Sequence, residues 1–228
     1  MPESSLLHQL ELRKYFWLLV ALITLIILAP IFDDDTWGAP VLGVITMITL
    51  ALALSSIANE KAVLWIGILL GVVAYAISTY AFALGKPPLV ALPFQLAFYG
   101  FINLSILRDV LVARRINADS ICGGICVYLL LGINWALIFA LLEFMHPGSL
   151  VANLPSGQES VSTPMDFVYF SFVTLTTLGY GDIVPVSNGT RSAAIGASVS
   201  GVLFIAVFIG RLVGLTTAQV NADQDTAS

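Results

Sequence analysis

Thr176-Thr177-Leu178-Gly179-Tyr180-Gly181-Asp182 is the stretch on which the reading of this chain turns. Ahead of it stands Ser162-Thr163-Pro164-Met165-Asp166, a strong helix start. Thr163 can cap, Pro164 suits the first turn, and Asp166 falls three residues after the cap. The apolar run Phe167–Leu175 that follows is too short to cross a bilayer, which takes about 20 residues of helix. A short helix that enters and an extended strand that returns make a re-entrant element. Such backbone is tolerated at membrane depth only where protein buries it or water bathes it. A Gly-Tyr-Gly triplet alone is a weak signal; two threonines before it, Asp182 after it and a capped helix in front make it specific.

Outward from this element lie apolar runs of spanning length: Tyr15–Phe32, Gly38–Ala58, Ala62–Leu84, Leu89–Leu107, Cys122–Phe144 and Ser192–Leu215. The chain is 58% hydrophobic and 10% charged over 228 residues, with a mean hydropathy of +0.96. That is too little charge to cover a soluble domain of this length. The runs are apolar all round, which argues helix, because a lone strand leaves its backbone groups unsatisfied in lipid. The expected fold is an all-α membrane protein of six transmembrane helices plus the re-entrant helix and extended strand. No cleavable signal is evident, so the first run is expected to be a retained span. The net charge of -5 sits in loops and tails and speaks against a nucleic-acid partner.

Loop charge gives the orientation. With the N-terminus inside, cytoplasmic segments carry Arg13, Lys14, Lys61, Arg108, Arg114 and Arg115, with Arg211 near the inner end of the last span. The outer loops carry only Lys86 and Arg191 beside Asp33-Asp34-Asp35. Both termini are therefore expected in the cytoplasm. The acidic triad could concentrate cations or simply cap a span. Residues 108–121 form a basic cytoplasmic linker able to touch anionic headgroups. Because the chain stops soon after Leu215, no attached cytoplasmic ligand-binding domain is expected.

Taken with its surroundings, the stretch resembles the potassium channel superfamily, and specifically its pore module of outer helix, pore helix, filter and inner helix. The resemblance rests on Thr177-Leu178-Gly179-Tyr180-Gly181, where the family usually has Val at position 178. It extends to Tyr169-Phe170-Ser171-Phe172-Val173-Thr174-Leu175 as pore helix and to Ile183-Val184-Pro185 with Arg191 as exit loop, covering Cys122 to Leu215. It implies a potassium-selective filter that holds K+ at Thr177, Leu178, Gly179 and Tyr180. No organic cofactor and no enzymatic chemistry are implied. An ion entering a narrow pore must lose water, and backbone carbonyls replace those oxygens without a fixed charge that would trap it. Gly179 and Gly181 supply dihedrals that side chains resist, and the pore helix aims its negative dipole end at the ion. One copy of the motif is a quarter of a ring, so a homotetramer in membrane lipid is implied, in the cell membrane of prokaryotic type.

On this reading the chain divides into an N-terminal segment (1–14), a four-helix domain like a voltage sensor (15–107), the linker (108–121), the pore domain (122–215) and a tail (216–228). A sensor needs basic residues at every third position of a span; Leu89–Leu107 contains none, so gating is expected to be voltage-independent. Filter support is expected from Thr174, Thr176 and Asp182. Two positions depart from family members. Val173 stands where some carry a glutamate that pairs with the filter aspartate, leaving Asp182 without that partner. Phe170 stands where others carry a tryptophan bonded to the filter tyrosine, so Thr174 or Ser171 would have to serve Tyr180.

Glu143, at the outer end of the fifth span, is either a solvated interfacial carboxylate or a brace bonding the backbone behind the filter. Gly201 lies where related channels hinge, with Val202, Ile205 and Ile209 below it at helical spacing as a constriction that gates by dewetting. Close packing of small residues explains Gly201 as well. Asn134 and Gln95 are expected to hydrogen-bond between helices. Cys122 and Cys126 are expected to pack, and His146 to sit in a solvated loop. A potassium-uptake transporter subunit or a non-conducting regulatory subunit stays open as the alternative, although such transporters usually carry several degenerate pore loops in one chain.

Overall fold

The computed structural model describes residues 14–28, 49, 51–53, 55, 61–84, 88–113, 117–154, 157–161 and 163–227. Helices α1 (Lys14–Leu28), α2 (Lys61–Ala83), α3 (Ala91–Val112) and α4 (Ala118–Met145) come first, with a 3-10 turn at Pro88–Val90. Strands β1 (Leu150–Leu154) and β2 (Gly157–Ser160), helix α5 (Pro164–Leu175), strand β3 (Ile183–Pro185) and helix α6 (Asn188–Ala227) follow.

Among the described residues four helices are long and apolar enough to cross a membrane: Lys61–Tyr80, Ala91–Val112, Ala118–Met145 and Asn188–Thr217. They coincide with the third to sixth expected spans. The described part of the first, α1, is apolar but has 15 residues. Gly38–Ala58, the second expected span, lies almost wholly outside the described residues. Two ends differ from expectation for local reasons. Arg108 and Asp109 read as the start of a linker, yet α3 continues through them to Val112. At α6 the Ser187 hydroxyl accepts the Thr190 N–H at 3.2 Å and starts the helix at Asn188, four residues before the apolar run.

The all-α expectation is corrected by a three-stranded antiparallel sheet of order β2-β1-β3. Leu150 pairs with Pro185, Val151 with Val184 and Ala152 with Ile183. The polar stretch after α4 thus satisfies its backbone on the strand that leaves the filter, rather than in an irregular loop.

Two compact units divide the chain, and they cut across the sequence domains. One holds the described residues up to Leu64 together with Leu104–Tyr128 and the chain from Phe204 onward. Within it Asp119 Oδ1 accepts the N–H groups of Tyr15 and Phe16 at 3.0 and 3.2 Å, covering donors at the start of α1 that have no helical partner. The Tyr15 hydroxyl donates to Asp109 Oδ2 at 3.0 Å, and Lys14 lies 3.7 Å from the same oxygen. Arg211 donates to the Ala113 carbonyl at 2.7 Å. Cys126 is fully buried as expected, its thiol 3.5 Å from the Tyr15 carbonyl.

The second unit comprises Trp65–Asn103 and Leu129–Leu203. Its core gathers Phe139, Ala140, Leu150, Phe167, Phe170, Ile183 and Ala197. The rings of Phe139 and Phe170 meet edge to face at 4.8 Å, which fixes α5 against α4. Gln95 makes the expected interhelical bond, donating to Ser78 Oγ at 2.9 Å. Asn134 does not: its amide donates to the Leu130 carbonyl of its own helix at 2.8 Å, and its Oδ1 is buried with no partner.

Candidate selectivity filter and its supports

The start of α5 is built as its sequence dictates. Thr163 accepts the Asp166 N–H at 3.2 Å, and Pro164 opens the first turn. The helix ends at Leu175, and its last carbonyls bind the strand that turns back. Thr177 N donates to Thr174 O at 3.0 Å, while Leu178 N and Gly179 N both reach Val173 O, at 2.9 and 3.3 Å. The Thr176 hydroxyl donates to Phe172 O at 2.7 Å. Carbonyls that a helix C-terminus leaves unpaired are thereby satisfied by the first filter residues.

Beyond that anchor the backbone alternates. Thr177, Gly179 and Gly181 have φ of 59°, 58° and 82°. Thr177 is the one non-glycine residue with positive φ among those described. A change of hand at every second residue turns successive carbonyls toward one side, which a regular strand does not do. Glycine takes this conformation at little cost, and a Cβ at Gly179 or Gly181 would meet nothing within 4 Å. Sequence reasoning located the two glycines but missed Thr177, because nothing in a threonine announces the left-handed region. All five filter residues are exposed on the single chain, Leu178 by 54% and Tyr180 by 68%.

The supports differ from those expected. Asp182 has a partner from the pore helix after all: the Tyr169 hydroxyl donates to its Oδ2 at 2.6 Å. Tyr169 stands one turn before Val173 and so reaches the same side of α5. This bond, followed by burial and the charge of Asp182, pushes the Tyr169 phenol up to about 12. Ser171 has no proton to donate to Tyr180. Its hydroxyl lies 2.9 Å from Gly132 O and 2.8 Å from Val168 O, which takes up its one proton inside the subunit.

Glu143 is 5% exposed and braces a turn. Its Oε1 accepts Gly148 N at 2.7 Å; its Oε2 accepts Leu150 N at 2.7 Å and the Ser149 hydroxyl at 2.9 Å. The braced backbone is the entry to β1, not the filter itself. From the same turn the Ser149 carbonyl accepts Val186 N at 2.8 Å and the hydroxyl of the fully buried Thr190 at 2.9 Å. His146, before this turn, is exposed as expected. Gly201 is buried on α6, where an added Cβ would run into the Leu175 carbonyl at the end of α5. Val202, Ile205 and Ile209 are exposed by 52%, 42% and 53%.

Known proteins are similar to part of the chain. The voltage-gated potassium channel Kch of Escherichia coli is 28% identical over 55% of this chain and 30% of its own length. The two-pore potassium channel 4 of Arabidopsis thaliana is 40% identical over 27% of this chain and 22% of its own. Protein LctB of Bacillus caldotenax is 29% identical over 51% of this chain and 93% of its own. The chain thus spans under a third of the two named potassium channels. Residues 125–218, which carry most of α4, all of α5, the alternating strand and most of α6, match the model of a family described as ion channel.

Proposed function

We propose that this chain is one subunit of a potassium-selective channel that conducts K+ passively down its gradient. The observation that carries the reading is the alternation at Thr177, Gly179 and Gly181, with φ of 59°, 58° and 82°. It supports a ladder of carbonyls from Thr177, Leu178, Gly179 and Tyr180 that replaces the water of a K+ ion. One chain supplies a quarter of such a ring, and the exposed filter face fits closure by three further copies. Only 11% of the spanning window of α6 is buried, against 44% for α4. That difference fits an inner helix that lines the central pore and packs on neighbouring copies. Six spans per subunit, with both termini in the cytoplasm of a prokaryotic cell, complete the proposal.

Thr174, Thr176, Asp182 and Glu143 are filter supports on this reading, while Gly201, Val202, Ile205 and Ile209 form the gate. Voltage-independent gating follows from α3, whose only basic residue, Arg108, lies near its C-terminal end beside Asp109. Purified protein reconstituted in planar bilayers under a KCl and NaCl gradient tests the function directly. Single-channel steps reversing near the potassium potential are expected. Macroscopic flux without steps, or reversal near zero under biionic conditions, would replace the reading with a carrier or an unselective pore.

A further inference from the structure

The last filter carbonyl is held from outside the pore module's helices. Asn153 Nδ2 donates to the Gly181 carbonyl at 3.2 Å, and Asn153 N donates to the Asp182 carbonyl at 2.7 Å. Asn153 follows directly on the pairing of Ala152 with Ile183, so the ladder between β1 and β3 delivers it to the end of the filter. At its other end β1 starts from the turn whose N–H groups Glu143 accepts. A buried carboxylate, a strand and an amide thus form one connected path to the outermost filter carbonyl.

We infer that Asn153 is a positioning residue that sets the direction of the Gly181 carbonyl, and with it a further K+ site just outside the ladder that ends at Tyr180. Gly181 has φ of 82° and no side chain, so its peptide planes have little local reason to keep one orientation. A carbonyl oxygen has two lone pairs; the Asn153 amide takes one and leaves the other for an ion. Without that donor the carbonyl can rotate away from the axis, and the outer end of the filter loses its oxygen ring. The inference rests on the channel reading above and adds to it a residue from the outer strand.

Asn153→Ala removes the side-chain donor, and the nearly isosteric Asn153→Asp presents only acceptors to the Gly181 carbonyl. Both keep the main-chain bond to Asp182. Current through reconstituted channels held open at low and high external K+ is the measurement. Both variants are expected to lose current roughly fivefold faster than the parent at low external K+, the factor that one net hydrogen bond supports. High external K+ should restore parental decay by occupying the site, which a general loosening of the sheet would not produce. The K+ over Na+ preference at the start of the pulse should stay parental. Parental decay in both variants, or acceleration indifferent to external K+, overturns the role of Asn153 alone. A parent that passes no K+ current overturns the channel reading and this inference together.

Discussion

The Tyr169 hydroxyl and the Asp182 carboxylate, 2.6 Å apart, tie the middle of the pore helix to the residue that follows the filter. The bond spans the outside of the strand between them, so the ladder from Thr177 to Gly181 is fastened at both ends within one chain.

Tyr169→Phe keeps the ring and removes this donor. Faster loss of current during sustained opening is expected, with K+ over Na+ selectivity at the peak unchanged. Because the phenol's pKa is raised from 10.0 to about 12, the bond's contribution is complete below the ordinary value and fades as pH climbs through the raised one. Between about pH 6 and 9 the difference between parent and Tyr169→Phe should therefore be constant. A difference that grew or vanished across that interval would show that another group governs it.

Gly179→Ala and Gly181→Ala meet no obstructing atom, so their cost is the left-handed backbone itself, ~1–2 kcal/mol per position. In the proposed tetramer that cost recurs in every copy, and loss of current or of K+ over Na+ selectivity is expected. D-alanine at either position, introduced by semisynthesis, prefers positive φ and should be tolerated far better. Equal behaviour of the two enantiomers in bilayer recordings would remove the dihedral argument.

Glu143→Gln replaces an oxygen that accepts a backbone N–H with an amide that donates. With Glu143 5% exposed, the mismatch should cost ~1–3 kcal/mol. Thermal melting of the protein should shift down, and current should decay faster through the slackened entry to β1. Normal melting with normal decay would show that the bonds Glu143 accepts do not stiffen the entry to β1.

Gly201→Ala bears on both readings of this glycine, since it stiffens a hinge and fills a close helix contact. The contact with Leu175 adds a second effect, since the new Cβ would press on the carbonyl at the base of the pore helix. Overpacking of this kind costs ~1–3 kcal/mol. A lower melting temperature is expected together with lower open probability, whereas a pure hinge would change gating alone. Ile205→Asn and Ile209→Asn should raise basal current by wetting the constriction, without the melting shift. Parental gating in all three variants would move control to the filter.

What could be read in the sequence was local. The cap at Thr163, the proline after it and the two filter glycines each announce their backbone within a few residues. So did the apolar runs of α2, α3, α4 and α6, whose length alone sets their role. What escaped depends on partners distant in sequence. For Asp182 only the glutamate missing at Val173 was weighed, while its donor stands a turn earlier at Tyr169. Strand β1 escaped because about half of its pairing goes to β3, about thirty residues on, and the short stretch it shares with β2 carries too little alternation to announce a hairpin. Asn153 escaped with it.

The double acceptance at the Ser149 carbonyl, from Val186 N and from the buried Thr190 hydroxyl, has a mechanical meaning. It clamps the first turn of α6 to the turn that Glu143 braces. Whether α6 tilts from this clamp or bends at Gly201, its clamped first turn stays almost still while its far end moves most. On the proposed channel reading, the candidate filter exit, joined to that clamp by β3, is shielded from movement of α6 beyond its clamped turn, and substitutions at the two places should act separately on conduction and on opening.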